Sequence, residues 1–295
     1  MINVKEPVKD VARRILSPKS YEQLIGFYSR VHHGFGAVRD QYGLAAWQNQ
    51  LRLRRLHNSY LGRRCFVIAN GPSLAQTDLR SLASEITIGS NGLFLMFEKM
   101  GYLPTFYTVQ DELTAERFAQ ELNSLKGTTK VFARELAHLL LPDGETIYFN
   151  LLPDSYQRYL DKHMNENFTP KFSDRLDKAA YDGCTVTYFN LQLAYYIGCR
   201  EVYLVGLDHH YEMPPGIDIQ NDLIVVSPGD DVSHFHPSYF GSGVSYLTPR
   251  VDKMERAYVA ARNFAARNGM KILNATAGGK LEVFPRIRLE TVIGH

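Results

Sequence analysis

Histidines, an aspartate and tyrosines crowd two neighbouring stretches of the sequence, Gly206-Leu-Asp-His-His-Tyr211 and Ser233-His-Phe-His-Pro-Ser-Tyr239. A neutral imidazole, with a reference pKa near ~6.5, can take a proton from a hydroxyl nucleophile, and tyrosine hydroxyls can hold a departing phosphate. One of these histidines would then serve as general base, with tyrosines as phosphate ligands. The competing chemistry is a metal site, because Asp208, His209 or His210, His234 and His236 include enough oxygen and nitrogen ligands for zinc or manganese. A metallophosphoesterase needs further aspartate motifs of the D-x-D type after earlier strands. None stands there, so no metal is expected.

Two asparagine corners add a second kind of chemistry. In Asn70-Gly71-Pro72-Ser73, Gly71 allows close backbone approach and Ser73 can cap a following helix, so the turn can hold phosphate or ribose at a helix N-terminus. It lacks both the G-K-[ST] ending of a P-loop and the G-x-G-x-x-G of a dinucleotide site. Gly89-Ser90-Asn91-Gly92 repeats the corner. Asparagine donates and accepts, and so reads a base edge or a sugar hydroxyl without adding charge. Gln110-Asp111 places further polar groups at the same rim.

These residues need a frame. The runs 65–69, 86–88, 105–109, 130–133, 146–149, 201–205 and 271–274 read as strands, with helical patterns at 78–84, 93–100, 113–125, 185–197 and 249–268 between them. Their hydrophobicity is continuous, not alternating. That marks strands buried on both faces, hence a doubly wound, mainly parallel, Rossmann-like α/β sheet. Ligands then sit at the carboxyl ends of the strands, and the long stretch from His209 to Thr248 is expected to form a lid. Residues 1–62 form a separate helical extension, with patterns at Val8–Leu16, Tyr21–Val31 and Leu44–Leu61; residues 63–295 form the catalytic domain. The basic end of the extension, with Arg52, Arg54 and Arg55, is expected to pack on its own domain. Contact with an anionic membrane surface or a second copy is the alternative.

Composition narrows the partners. Among 295 residues, 33 are basic and 31 acidic, a net charge of +2 that argues against nucleic acid. No apolar run approaches the ~18–20 residues of a membrane span, and the start lacks a secretory signal, so a cytoplasmic protein, at most peripheral to the inner membrane, is expected. The odd count of 3 cysteines, without C-x-x-C, predicts reduced core thiols. The 18 tyrosines against 1 tryptophan suit sugar and nucleotide pockets as well as ordinary packing.

In order, the segments 67–74 (VIANGPSL), 90–94 (SNGLF), 197–208 (IGCREVYLVGLD) and 233–235 (SHF) resemble the bacterial sialyltransferases of glycosyltransferase family 42. They also resemble the wider domain group that includes the archaeal 6-hydroxymethylpterin diphosphokinase. The resemblance runs from about Arg63 to about Thr276. It implies a nucleotide-binding α/β domain with a lid, a CMP-activated sugar donor, a glycan acceptor and no required cofactor. On the matching positions, Asn70 and Asn91 would contact the nucleotide beside Gly71, Ser73 and Asp208, and His234 would deprotonate the acceptor. The family's phosphate-binding tyrosine falls on His210 or Tyr211, one place out of register. Thr185-Val-Thr187 takes the place of a T-S-G turn, Gln110-Asp111 that of an asparagine, and Tyr239 and Tyr246 are candidates for a second aromatic ligand. The expected function is transfer of a sialic-acid-like nonulosonate to a cell-surface glycan. The pterin relative implies an alternative, diphosphoryl transfer from ATP, with Asp208, Asp111 and Asp230-Asp231 holding magnesium. A third alternative is a non-catalytic nucleotide-sugar-binding module docked through residues 51–64.

Overall fold

Strands β1 (Arg64–Ile68), β2 (Ile86–Ser90), β3 (Phe106–Val109), β4 (Thr129–Ala133) and β5 (Thr146–Phe149) are almost wholly buried, as runs such as Cys-Phe-Val-Ile require. The computed structural model describes residues 44–152, 170–213 and 224–294. After the short pair β6 (Leu151–Leu152) and β7 (Ala180–Tyr181) come β8 (Glu201–Val205), the hairpin pair β9 (Ile224–Val226) and β10 (Ser245–Leu247), and β11 (Lys271–Asn274). The central sheet has seven strands in the order β11-β8-β1-β2-β3-β4-β5. Every pairing in it is parallel, which confirms the Rossmann-like expectation. Patterns at Val8–Leu16 and Tyr21–Val31 lie outside the described residues, as does part of the expected lid.

The helices are α1 (Leu44–Leu56), α2 (Phe97–Met100), α3 (Glu112–Arg117), α4 (Ala119–Ser124), α5 (Val186–Tyr196), α6 (Val251–Arg267) and α7 (Leu289–Ile293). Sequence periodicity overstated several of them. The connections after β1 and β2 are 3-10 turns at Pro72–Gln76, Leu79–Leu82 and Asn91–Met96, and 113–125 breaks into α3 and α4 at Phe118. α5 is buried on nearly every side, and Phe189 stacks on Phe149 at 3.7 Å. Asn190 Oδ1 accepts from Thr108 at 2.6 Å while its Nδ2 has no partner, and Gln192 bonds the backbone of Ser173 and Tyr181. α6 is amphipathic, burying Met254, Ala257, Tyr258, Ala261 and Ala265 at helical spacing.

α1 packs on the sheet. Asn49 donates to the Tyr148 carbonyl and accepts from its N–H, capping the outer edge of β5, while Arg52 donates to the carbonyls of Asp143 and Thr146. Arg52 is therefore a structural residue, and reversing its charge would unseat α1 before it tested any membrane contact. Beside it Lys130, 1% exposed, meets the Asp143 carboxylate at 2.5 Å. Burial alone would raise the Asp143 pKa, but hydrogen bonds from Lys126, Lys130 and Thr146 outweigh it and hold the carboxyl below its ordinary value of 3.8. The unfolded chain therefore binds this proton first. The contribution is complete above the unfolded value and is lost as pH falls towards the lowered folded one, with a slope of at most about 1.4 kcal/mol per pH unit. Unfolding measured from pH 5 to pH 3 should show this slope, and Asp143→Asn should flatten it; an equal slope in the variant refutes the assignment.

Candidate active site

β1 and β8 lie side by side, and the sheet grows from them in opposite directions, towards β5 and towards β11. Such a switch point opens a crevice outside the carboxyl ends of the two strands. The loop Asn70–Leu74 and the loop Gly206–Tyr211 flank it. They are stitched together: Gly71 N–H donates to the Gly206 carbonyl at 2.8 Å, and the Asp208 carboxylate accepts from Ser73 Oγ at 2.7 Å and faces the Ser73 N–H at 3.3 Å. The expected helix cap at Ser73 is thus corrected. Ser73 does not cap the turn; the Asp208 carboxylate takes its N–H and hydroxyl instead, at the place where a phosphate was expected. A Cβ on Gly71 would lie 1.9 Å from Asp208 Oδ2, so a side chain has no room there.

His234 stands in a loop bonded to the Asn70 loop at the same edge. Its Nδ1 meets Asp231 Oδ2 at 2.8 Å, and its ring stacks on Tyr239 with centroids 4.0 Å apart and planes parallel. Asp231 also accepts from the N–H groups of Ser233, His234 and Phe240, so one carboxylate fixes both the loop and the imidazole. The next residue ties the loop to the sheet, where Phe235 N–H donates to the Asn70 carbonyl at 3.0 Å. Tyr239 is buried with its hydroxyl 3.4 Å from the Gly92 N–H, and burial raises its pKa. Its ring lies so close to Gly92 that a Cβ there would be 2.6 Å from it. With Nδ1 engaged, Nε2 is the nitrogen left to accept a proton, and no described residue bonds it. A neutral imidazole held in this way can take a proton at Nε2. Sequence reading missed Asp231 as the orienter. Its signal was the Asp-Val-Ser-His spacing, in which an aspartate accepts from backbone N–H groups two and three residues on.

The strand-end amides stand at the same edge of the sheet. Asn70 Nδ2 donates to the Ser90 carbonyl at 3.3 Å, while Asn70 Oδ1, Ser90 Oγ, Asn91 Oδ1 and Gln110 Oε1 are buried without a partner. These four oxygens stand at the carboxyl ends of β1, β2 and β3. Asn91 holds φ +54°, a left-handed conformation that asparagine tolerates better than most residues. Other predicted residues are committed elsewhere. Asp111 caps α3 by accepting from Thr114 N–H at 2.8 Å, and burial raises its pKa, so it is not a free rim group. Thr185 caps α5, accepting from Thr187 N–H at 3.3 Å. Tyr211 is 6.4 Å from the His234 ring, Tyr246 stacks on Phe240 beside it, and His210 is exposed.

The proposed metal ligands are not brought together. Asp208 turns to Ser73, His209 is buried against Tyr258, His234 turns to Asp231, and His236 Nδ1 accepts from Ser238 N–H. Among the described residues no three His, Cys, Asp or Glu side chains gather as a metal-holding group. Of the four aspartates of the phosphotransfer alternative, Asp208, Asp111 and Asp231 each serve protein donors and Asp230 is exposed. The three cysteines are thiols, not disulfides, Cys65 and Cys199 buried and Cys184 partly so. No helix among the described residues is long and apolar enough to cross a membrane.

Parallel strands, a switch point and a ring of polar loop residues at the carboxyl edge define a Rossmann-like α/β protein. The chain belongs to the 6-hydroxymethylpterin diphosphokinase MptE-like family, whose model matches residues 44–213. The chain is also similar to the solved structure of the MAf glycosyltransferase from Magnetospirillum magneticum AMB-1, with a TM-score of 0.45 and 16% sequence identity over 83% of this chain and 38% of that one. It therefore spans well under half the length of that protein. No curated protein matches the chain.

Proposed function

We propose that the chain is a glycosyltransferase that moves a sialic-acid-like nonulosonate from a CMP-activated donor to a hydroxyl of a cell-surface glycan. The observation that carries this reading is the Asp231–His234 pair, aligned by the Tyr239 ring and joined through Phe235 to the Asn70 loop. In this reading Nε2 of His234 takes the proton of the acceptor hydroxyl as its oxygen bonds the anomeric carbon. The bond from that carbon to the phosphate oxygen breaks, CMP leaves with the electron pair, and the configuration inverts. Asn70, Asn91 and Gln110 hold the nucleoside through uncharged contacts. The Tyr211 hydroxyl, pushed up to about 12 by burial and then by Asp208, keeps its proton and donates to the departing phosphate.

Calorimetry with CMP, together with turnover of CMP-N-acetylneuraminate in excess chelator, tests the reading. Binding of CMP and chelator-resistant turnover are expected. Absence of cytidine binding overturns the donor, and activity lost with metal removal overturns the mechanism. Magnesium-dependent AMP release from ATP with 6-hydroxymethylpterin would assign the activity named in the family description instead.

A further inference from the structure

His209 is a buried titratable group that the proposed chemistry leaves unused. It follows Asp208 at the carboxyl end of β8 with φ +52°, a conformation strained for a residue with a Cβ. The backbone is pinned there. Lys280 N–H donates to the Asp208 carbonyl at 2.7 Å, and Gly279 packs so closely that its Cβ would lie 2.9 Å from the Asp208 Cα. The bend turns the imidazole inwards, where it is 7% exposed and neither Nδ1 nor Nε2 has a hydrogen-bond partner. Its ring meets Tyr258 edge-on at 5.6 Å, and the Tyr258 hydroxyl is 3.4 Å from Thr185 Oγ1 at the start of α5.

Burial lowers the His209 pKa, so the ring is neutral, with one nitrogen donating and the other accepting. Two buried, unmet nitrogens carry a desolvation cost that a ligand would relieve. The ligand must supply an acceptor and a donor together. The phosphodiester-like linkage of a sugar nucleotide has no hydrogen to donate and leaves the lone pair unmet; hydroxyl groups do both, and the Tyr258 hydroxyl, resting on the Thr185 cap, adds a further oxygen beside the ring. We propose that His209, with the Tyr258 hydroxyl held beside it by Thr185, forms a neutral subsite for the polyhydroxylated part of the transferred sugar. The subsite rests on the glycosyltransferase reading but not on cytidine as the nucleotide.

The His209 ring nitrogens of the full chain, assigned by nuclear magnetic resonance through their loss in His209→Phe, are followed against inorganic phosphate, CMP, CMP-N-acetylneuraminate and UDP-N-acetylglucosamine. The expected result is a shift with a sugar nucleotide and none with CMP or phosphate. His209→Phe should weaken CMP-N-acetylneuraminate binding by about 10-fold or more while leaving CMP binding unchanged, and His209→Asn, which keeps a donor and an acceptor, should recover part of it. A shift with the UDP sugar alone keeps the subsite and removes the cytidine reading. No shift with either sugar nucleotide, or equal weakening of CMP and CMP-sugar binding, overturns the subsite.

Discussion

Alanine at His234 is expected to lower turnover of the CMP-activated donor by about 10³-fold while leaving CMP affinity within a few-fold. Positioned general bases contribute roughly 10²–10⁴-fold, and in the proposed mechanism His234 acts on the acceptor oxygen, not on the nucleotide. Asp231→Asn separates orientation from proton transfer. The amide group that replaces Oδ2 would donate to Nδ1 and move the ring proton to Nε2, so the imidazole could no longer accept there. It would also face the Phe240 N–H that Oδ2 now accepts. A loss of about 10–100-fold in kcat with KM for the donor little changed is expected. Single-turnover kinetics on both variants, with the loop checked by resistance to proteolysis, decides the matter. Turnover within about 3-fold of wild type in His234→Ala would remove His234 from the chemistry.

The sheet was legible because parallel strands buried on both faces leave continuous apolar runs, as in Cys65 to Ile68 and Val202 to Val205. Helices were less legible. Leu93 to Met100 is apolar enough for a helix, yet it opens as a 3-10 turn in which Tyr107 Oη accepts from the Phe94 N–H and donates to the Asn91 carbonyl. That tertiary contact has no local signal. At the site, Asn70, Asn91 and His234 could be found from residue type and strand end, but the commitments of Asp111 to a helix cap and of Asp208 to Ser73 could not. A carboxylate at a strand end has the same residue letter whether it awaits a ligand or is bonded to its own backbone. The same holds for His209 and His210, adjacent histidines of which one is buried and one exposed. Only the left-handed backbone at 209, pinned by Lys280 and Gly279 from a distant segment, separates them.

The packing of Asp208 against the β1 loop makes replacement of Gly71 costly. Its φ is −72°, an ordinary value, so an alanine would not be strained by its own backbone. The obstacle is space. A Cβ would meet Asp208 Oδ2 at 1.9 Å, Asp208 Cγ at 2.7 Å and the Gly206 carbonyl at 2.7 Å. Asp208 must then swing away, surrendering the Ser73 hydroxyl and N–H, and the β1 and β8 loops must part against the Gly71 N–H to Gly206 hydrogen bond. Overpacking costs ~1–3 kcal/mol and loss of a charge-assisted hydrogen bond ~1.5–3 kcal/mol, so Gly71→Ala should destabilise by about 3–5 kcal/mol in denaturant unfolding. Gly229→Ala, where nothing lies within 4 Å, should change stability by under about 0.5 kcal/mol. Asp208→Ala alone should cost about 2 kcal/mol for the donors it strands at Ser73. Combined with Gly71→Ala it should cost less than the sum, because the first change removes the atoms that the second collides with. Additive losses would show that the clash is with the Gly206 backbone alone, and that the carboxylate does not join the two loops on which Asn70 and His209 depend.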